Sequence, residues 1–153
     1  MAEHIWTVLC EKHVLDPDSK VVSLIEVVEN ITEEGLDQRI KEALSLGKKG
    51  ALINTPMQLV SWWWRSNSNE ETLQARVLLL NPKGENIFTQ EVSAEWGEGT
   101  ETPATLRVFF RLDGLPVSML GLHWFVVEQR DLSNSEAPHW VTVAKLPLGV
   151  ESA

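Results

Sequence analysis

The stretch that decides the fold class runs from residue 72 to residue 96 and reads TLQARVLLLNPKGENIFTQEVSAEW. Two runs rich in β-forming residues, Thr72 to Asn81 and Asn86 to Trp96, flank the turn Asn81-Pro82-Lys83-Gly84-Glu85. Proline sets the φ angle that the first corner of a turn needs, and glycine accepts the positive φ that other residues avoid. The stretch therefore predicts a β-hairpin.

The rest of the chain shows the same pattern of short β-rich segments separated by turn-forming residues. Asp16-Pro17-Asp18-Ser19 follows the first segment, and Lys20 to Ile31 is apolar at most positions of both faces. We therefore expect residues 20–31 to form a central strand that is covered on two sides and pairs with the first strand as a hairpin. The six further segments are His4–Glu11, Lys20–Ile31, Met57–Arg65, Thr105–Leu112, Met119–Gln129 and Trp140–Leu146.

One stretch, from Leu36 to Leu46, departs from the strand pattern. Its apolar residues recur at helical spacing, with charged residues between them. Gly47 lies where a left-handed residue would end a helix, and Lys48 and Lys49 follow near the negative end of the helix dipole. The stretch predicts one short amphipathic helix, with an irregular crossover between two sheets as the alternative.

Eight short β-rich segments with regular turns and one short helix are typical of a two-sheet sandwich or a small barrel. A parallel α/β fold would need a helix between each strand and the next, and apart from the one short helix the pattern contains none. We predict a mainly all-β fold, an antiparallel two-sheet β-sandwich of about eight strands with one short helix. Residues 1–153 are expected to form a single domain, with a core at about residues 4–147 and a tail at 148–153.

The composition narrows the classes of partner. The formal net charge is −9, and the Lys and Arg residues are scattered, which disfavours nucleic-acid binding because a phosphate backbone requires a patch of cations. The acidic stretches at residues 26–42 and 85–101 are interpreted as solvated faces, with a basic partner as the alternative. Residues 50–64, the longest uncharged run, are interrupted by polar residues, so no membrane span is expected.

The N-terminal residues and the single cysteine bear on localisation. Met1-Ala2-Glu3-His4 lacks the basic and apolar regions of a secretory signal. Cys10 has no partner for an intrachain disulfide, and its neighbours Val8 and Leu9 predict a buried thiol in a strand. A reducing cytoplasm is therefore the expected compartment, and no cofactor is expected.

Two features resemble a known family. They are the N-terminal strands, Cys10-Glu11-Lys12 and then KVVSLIEVVENI at residues 20–31, and the string Phe110-Arg-Leu-Asp-Gly114 before an aromatic-rich strand. Together they resemble a family of small bacterial proteins of unknown function that are thought to be β-sandwiches, over roughly residues 4–147. The resemblance implies the fold and a bacterial origin, and it carries no functional residue.

Tryptophan is the most unusual residue type here, with seven copies and no tyrosine, and Trp62, Trp63 and Trp64 are consecutive. On a strand, Trp62 and Trp64 share one face and Trp63 takes the other. The indoles either fill the core, form an interaction surface or provide a carbohydrate platform. We select Trp62, Trp63, Trp64 and Arg65 as candidate binding residues, and hypothesise that the face with Trp63 joins two copies or contacts a partner.

The candidate catalytic and metal sites are weak. His123-Trp124 and His139-Trp140 repeat a His-Trp pair in two segments that could be neighbouring strands, but zinc needs three or four ligands. Asp16 and Asp18 lack the rest of a calcium loop, and they are interpreted as turn residues. His13 lies across a turn from Cys10, so nothing local activates that thiol. The sequence predicts no catalytic residue and no metal site.

The sequence by itself does not reveal the function. The expectation is a non-catalytic protein-binding or assembly module that acts on a protein partner or on a second copy, in the cytoplasm of a bacterium. A small-ligand or carbohydrate-binding β-sandwich is the alternative, and a hydrolase with an unrecognised carboxylate pair is a third hypothesis. Neither nucleic acid nor membrane is expected as a partner.

Overall fold

The computed structural model describes residues 2–19, 21–65, 72–96, 104–131, 137 and 139–153. Strands make up 66% of these residues, which confirms the mainly all-β class. The described elements are, in chain order, β1 (Glu3–Leu15), β2 (Val22–Val27), β3 (Asn30–Glu33), α1 (Leu36–Ser45), β4 (Ala51–Leu52), β5 (Gln58–Arg65), β6 (Thr72–Leu80), β7 (Asn86–Glu95), β8 (Ala104–Arg111), β9 (Pro116–Val117), β10 (Gly121–Asp131) and β11 (His139–Ser152).

The strands form two large sheets and one short ladder. The four-stranded sheet has the order β2-β1-β5-β8, and the five-stranded sheet has the order β3-β11-β10-β6-β7. β4 pairs with β9 as a separate two-stranded ladder, and one sheet is strongly curled. All pairings among the described strands are antiparallel except that of β3 with β11. Eleven described strands in three sheets thus replace the eight strands in two sheets that the sequence suggested.

One hydrophobic cluster joins the two large sheets. The four-stranded sheet contributes Leu59, Trp63 and Phe110, all of them completely buried. The five-stranded sheet contributes every second residue of β6, together with Phe125 and Val127 of β10, and α1 adds Leu36 and Ile40. The period-two pattern of burial on β6 is what a strand buried on one face requires.

The predicted hairpin at residues 72–96 is confirmed. β6 pairs with β7 in antiparallel register, with Leu78 opposite Thr89. The Asn81 side-chain oxygen accepts hydrogen bonds from the backbone N–H groups of Lys83 and Glu85, at 2.9 and 3.0 Å. Gly84 has a φ of 82°, a conformation that favours glycine.

The central strand predicted for residues 20–31 is wrong, although its hairpin with β1 is confirmed. β2 is an edge strand, and its last residue, Val27, is 62% exposed. The chain then crosses to the five-stranded sheet, where β3 pairs with β11. Glu26, with a φ of 57°, lies at the bend. Val21 is also 58% exposed, so the apolar residues on both faces of this stretch do not mark a strand covered on two sides.

The predicted tail at residues 148–153 is also wrong, because β11 continues to Ser152. Leu148 and Val150 are each 1% exposed, and Val150 pairs with Ile31 of β3. The Ser152 hydroxyl accepts a hydrogen bond from the backbone N–H of Asp37 and donates one to the Asp37 carboxylate. The end of the chain is thus fixed to the first turn of α1.

The predicted helix is confirmed, and Glu33 fixes its position. Gly47, with a φ of 72°, follows the end of α1 as expected. The Glu33 carboxylate is 9% exposed and forms an ion pair with Arg39 of α1 at 2.5 Å. The same carboxylate accepts hydrogen bonds from the backbone N–H groups of Asn54 and Thr55, at 2.9 Å, and from the Thr55 hydroxyl at 2.8 Å. One side chain therefore connects β3, α1 and the segment before β5.

These contacts lower the pKa of Glu33 from its ordinary value of 4.5. Burial of the carboxylate raises the pKa, but the hydrogen bonds from Thr55, Arg39 and Asn54 outweigh the burial. The folded chain therefore favours the ionised carboxylate. Its contribution to stability is complete above the unfolded-state pKa and is lost as the pH falls through the lower folded-state value.

We predict that Glu33→Gln lowers the free energy of unfolding at neutral pH by about 2 kcal/mol, because hydrogen bonds to a charged group are lost. Urea denaturation followed by tryptophan fluorescence measures this change. The difference in stability between wild type and variant should narrow as the pH falls from 4.5 through the lower folded-state pKa of Glu33. The neighbouring exposed Glu34→Gln is the control and should change stability by less than about 0.5 kcal/mol. Equal effects of the two substitutions would contradict the prediction.

Candidate functional site

β5 carries all four predicted binding residues, and the alternation along the strand divides them into two pairs. Trp63 and Arg65 point to the same face as the core residue Leu59. Trp62 and Trp64 point to the opposite face and are half-buried. The sequence therefore predicted the alternation correctly, but it did not show which face meets the second sheet.

Trp63 and Arg65 lie inside the protein and not on a surface. Trp63 is 0% exposed, and its indole N–H donates a hydrogen bond to the Ser61 hydroxyl at 2.8 Å. The His4 ring packs edge-on against Trp63, with the ring centroids 5.0 Å apart. Arg65 is 6% exposed, with its guanidinium carbon 5.1 Å from the centroid of the Trp96 ring. The hypothesis that the face with Trp63 contacts a partner is therefore wrong, since that face belongs to the core.

The opposite face of the four-stranded sheet is the candidate site. We define the tryptophan face as Trp6, Trp62, Trp64, Arg107 and Phe109, which lie on β1, β5 and β8 and are half-buried. The register places Trp6 and Arg107 on either side of Trp62. The Trp6 and Trp62 rings are tilted at 55° with centroids 5.9 Å apart, and the Arg107 guanidinium carbon is 5.7 Å from the Trp62 centroid.

Side chains of β1 and β8 pack over the middle of this face. Val60 and Cys10 lie on the same face as Trp62, and both are completely buried. The His13 ring of β1 stacks on Phe109 of β8 with the centroids 4.1 Å apart, which places the two rings over β5. A His13 ring nitrogen also forms a hydrogen bond of 2.6 Å with the Gln58 side chain. The face is therefore a fixed set of packed rings.

Two N–H donors on the tryptophan face lack acceptors. The Trp62 Nε1 and Arg107 Nε atoms are buried, and neither has a hydrogen-bond partner within the described part of the chain. A buried donor without an acceptor costs about 1–3 kcal/mol, so such groups are uncommon unless they serve a purpose. The two donors belong to neighbouring residues that already share a cation–π contact.

The buried thiol predicted for Cys10 is confirmed, on β1. Burial raises the pKa of this thiol, which disfavours the reactive thiolate. Asp16 is the turn residue that the sequence suggested, because its carboxylate accepts a hydrogen bond from the backbone N–H of Asp18 at 2.9 Å. That hydrogen bond and those from Ser19 lower the pKa of Asp16.

The two His-Trp pairs lie on neighbouring antiparallel strands, as expected, but the histidines are far apart in the register. His123 is opposite Leu148, whereas His139 is opposite Asp131 at the other end of the pair. Burial lowers the pKa of His123, and a hydrogen bond to the Gly121 carbonyl opposes this shift. Over the described ranges, no three His, Cys, Asp or Glu side chains are grouped as a metal site requires.

Trp140 and Trp124 lie in other surroundings. Trp140 lies under the Arg76 guanidinium, whose carbon is 4.3 Å from the ring centroid, and Arg76 forms an ion pair with Glu128 at 2.5 Å. Trp124 is 37% exposed on the outer side of β10. Neither residue is part of the tryptophan face.

Sequence reasoning missed Trp6, Arg107 and Phe109 as members of the site. Each looks like an ordinary strand residue, and only the pairing of β1 and β8 with β5 brings them next to Trp62. The useful signal was the position of each residue in its strand, but that position helps only when the register between strands is known.

No protein-family model matches the chain, and no curated protein matches it. The resemblance to a bacterial β-sandwich family therefore stays a prediction. Among the described residues, no helix has the length and apolar character needed to cross a membrane.

Proposed function

We infer that this chain is a non-catalytic protein-binding module, acting in the bacterial cytoplasm, whose tryptophan face contacts a partner protein or a second copy. The observation that carries the proposal is the cluster of half-buried aromatic rings around Arg107 on the outward face of the four-stranded sheet. Tryptophan and arginine dominate the energetics of protein interfaces, because they combine a large apolar area with hydrogen-bond donors.

The geometry explains how such a face would bind. A partner surface packed on Trp62 and Arg107 would cover the parts of these half-buried side chains that are still exposed, which removes apolar area from water. Trp64 and Phe109 extend the apolar area on either side of this point. Since the rings are already packed against one another, little side-chain entropy would be lost on binding.

The state of Cys10 supports the non-catalytic part of the proposal. This thiol belongs to the single cysteine of the chain, and it is buried with a raised pKa. His13 is engaged with Gln58 and Phe109. A thiol in these surroundings is inert at neutral pH.

We predict that Trp64→Ala and Arg107→Ala each abolish association through this face. Sedimentation velocity over a range of protein concentrations measures binding to a second copy. For a different partner, a photo-crosslinking amino acid replaces Thr105, which is exposed and lies opposite Trp64, and cross-linking is done in the source cell. Wild type should give a dimer or a discrete adduct, and the two variants should give neither.

Matched controls separate this effect from general damage to the fold. Trp124→Ala removes an exposed indole from the other sheet, and Lys83→Ala removes an exposed cation from the β6–β7 turn. Both controls should associate like wild type. A wild-type monomer that also gives no adduct from position 105 would contradict the proposal, as would an equal loss in the control variants.

A groove between β1 and β11 favours the alternative function, a small-ligand module. It has a volume of about 540 Å³, within the range of small-molecule sites, and its lining includes Val27 and Leu122, which are 62% and 48% exposed. A carbohydrate version is less favoured at Trp62, because Arg107 lies against that indole. On this alternative, an anilinonaphthalene sulfonate probe should fluoresce with wild type and not with Leu122→Glu. Equal emission from both proteins would contradict the alternative.

A further inference from the structure

A second groove lies between α1 and the β4·β9 ladder, away from the tryptophan face. Its volume is about 590 Å³. The lining includes Leu46, Lys48 and Lys49 after the helix, Leu52 of β4 and Pro116 of β9. The groove shares no lining residue with the tryptophan face.

The apolar residues around this groove are unusually exposed. Leu46 is 72% exposed and Leu52 is 56% exposed. Leu46 and Leu52 therefore place exposed apolar area at the groove, as binding sites do.

The groove has more basic than acidic residues, although the protein as a whole is acidic, and its charged lining residues are Arg39, Glu42, Lys48 and Lys49. The chain carries a net charge of −9, yet Lys48 and Lys49 are adjacent at the rim. Neither lysine forms an ion pair with a residue that the structure describes. Arg39 also lines the groove, and its charge is engaged by Glu33. The two lysines are thus available to carboxylates from outside.

The backbone around the groove is fixed before any ligand arrives. The backbone N–H of Lys48 donates to the Ala43 carbonyl of α1 at 3.0 Å. Gly50 packs so closely on the Val117 backbone of β9 that a Cβ at position 50 would overlap the Val117 carbonyl. Arg39 donates a hydrogen bond to the Leu52 carbonyl at 3.1 Å. The groove is therefore preorganised, which reduces the entropic cost of binding.

We propose that this groove docks an acidic segment of a partner protein. An apolar side chain of the segment would lie between Leu46 and Leu52, and its flanking carboxylates would pair with Lys48 and Lys49. The combination of an apolar groove with cations at its rim is complementary to a segment of this chemistry. It constitutes a docking surface independent of the tryptophan face.

An anionic membrane is a poorer match for the same residues. Electrostatic recruitment to anionic lipid takes clusters of about 4–8 basic residues, whereas this rim has two unpaired lysines. The surface is also concave, which suits a protruding side chain better than a flat bilayer.

The test uses two fluorescein-labelled peptides with the same leucine and phenylalanine residues, one with four glutamates and the other with four lysines. Fluorescence anisotropy should show binding of the glutamate peptide to the full chain and none of the lysine peptide. Added salt should weaken the binding because the ion pairs are exposed. Lys48→Glu combined with Lys49→Glu should reduce affinity by about tenfold or more, and Leu46→Ser should also weaken it.

The control is Lys12→Glu combined with Lys83→Glu, which changes two other exposed lysines and gives the same change in net charge. It should bind the glutamate peptide to within about twofold of wild type. The proposal is overturned if both peptides bind alike, or if the control loses as much affinity as the groove variant. It is also overturned if phosphatidylserine vesicles, but not the glutamate peptide, bind in a manner that depends on Lys48 and Lys49. Melting temperatures of all variants verify that each is folded.

Discussion

The burial of one face of β5 is the constraint on which the rest of the structure depends. β5 lies in the middle of the four-stranded sheet, and Leu59 and Trp63 on its inner face belong to the cluster that joins both large sheets. Trp63 is the largest completely buried side chain among the described residues. Because side chains alternate along a strand, placing Trp63 inside forces Trp62 and Trp64 outward. The tryptophan face is thus a consequence of how the core is packed.

The remaining elements complete this arrangement at its ends. Glu33 connects β3, α1 and the segment before β5, and β11 reaches the first turn of the helix through Ser152. These contacts fix α1 against the ladder of β4 and β9. The groove with Lys48 and Lys49 at its rim lies between the helix and this ladder. The protein therefore has two surfaces of different chemistry. The tryptophan face is aromatic and includes Arg107, and the groove beside α1 is apolar with two lysines at its rim.

Local signals made much of this fold predictable from sequence. Pro82 and Gly84 marked the β6–β7 turn, and the spacing of Leu36 and Ile40 marked the helix. Residues 20–31 were misinterpreted because Val21 and Val27 are exposed at the edge of the sheet, so apolar residues on both faces did not mean burial on both faces. The sequence predicted only some residues of the candidate site. The Trp62–Trp64 run was visible, but the apolar character of both faces of β5 did not reveal the inner one, and Arg107 joins the site only through strand register.

The central claim is that Trp63 lies inside while Trp62 and Trp64 face outward. The most direct measurement is ¹⁹F NMR of the protein labelled with 5-fluorotryptophan, with each resonance assigned by single Trp→Phe substitutions and a soluble gadolinium chelate added. The chelate should broaden the resonances of Trp62 and Trp64 and leave the resonance of Trp63 nearly unchanged. Broadening of Trp63 equal to that of its two neighbours would contradict the account.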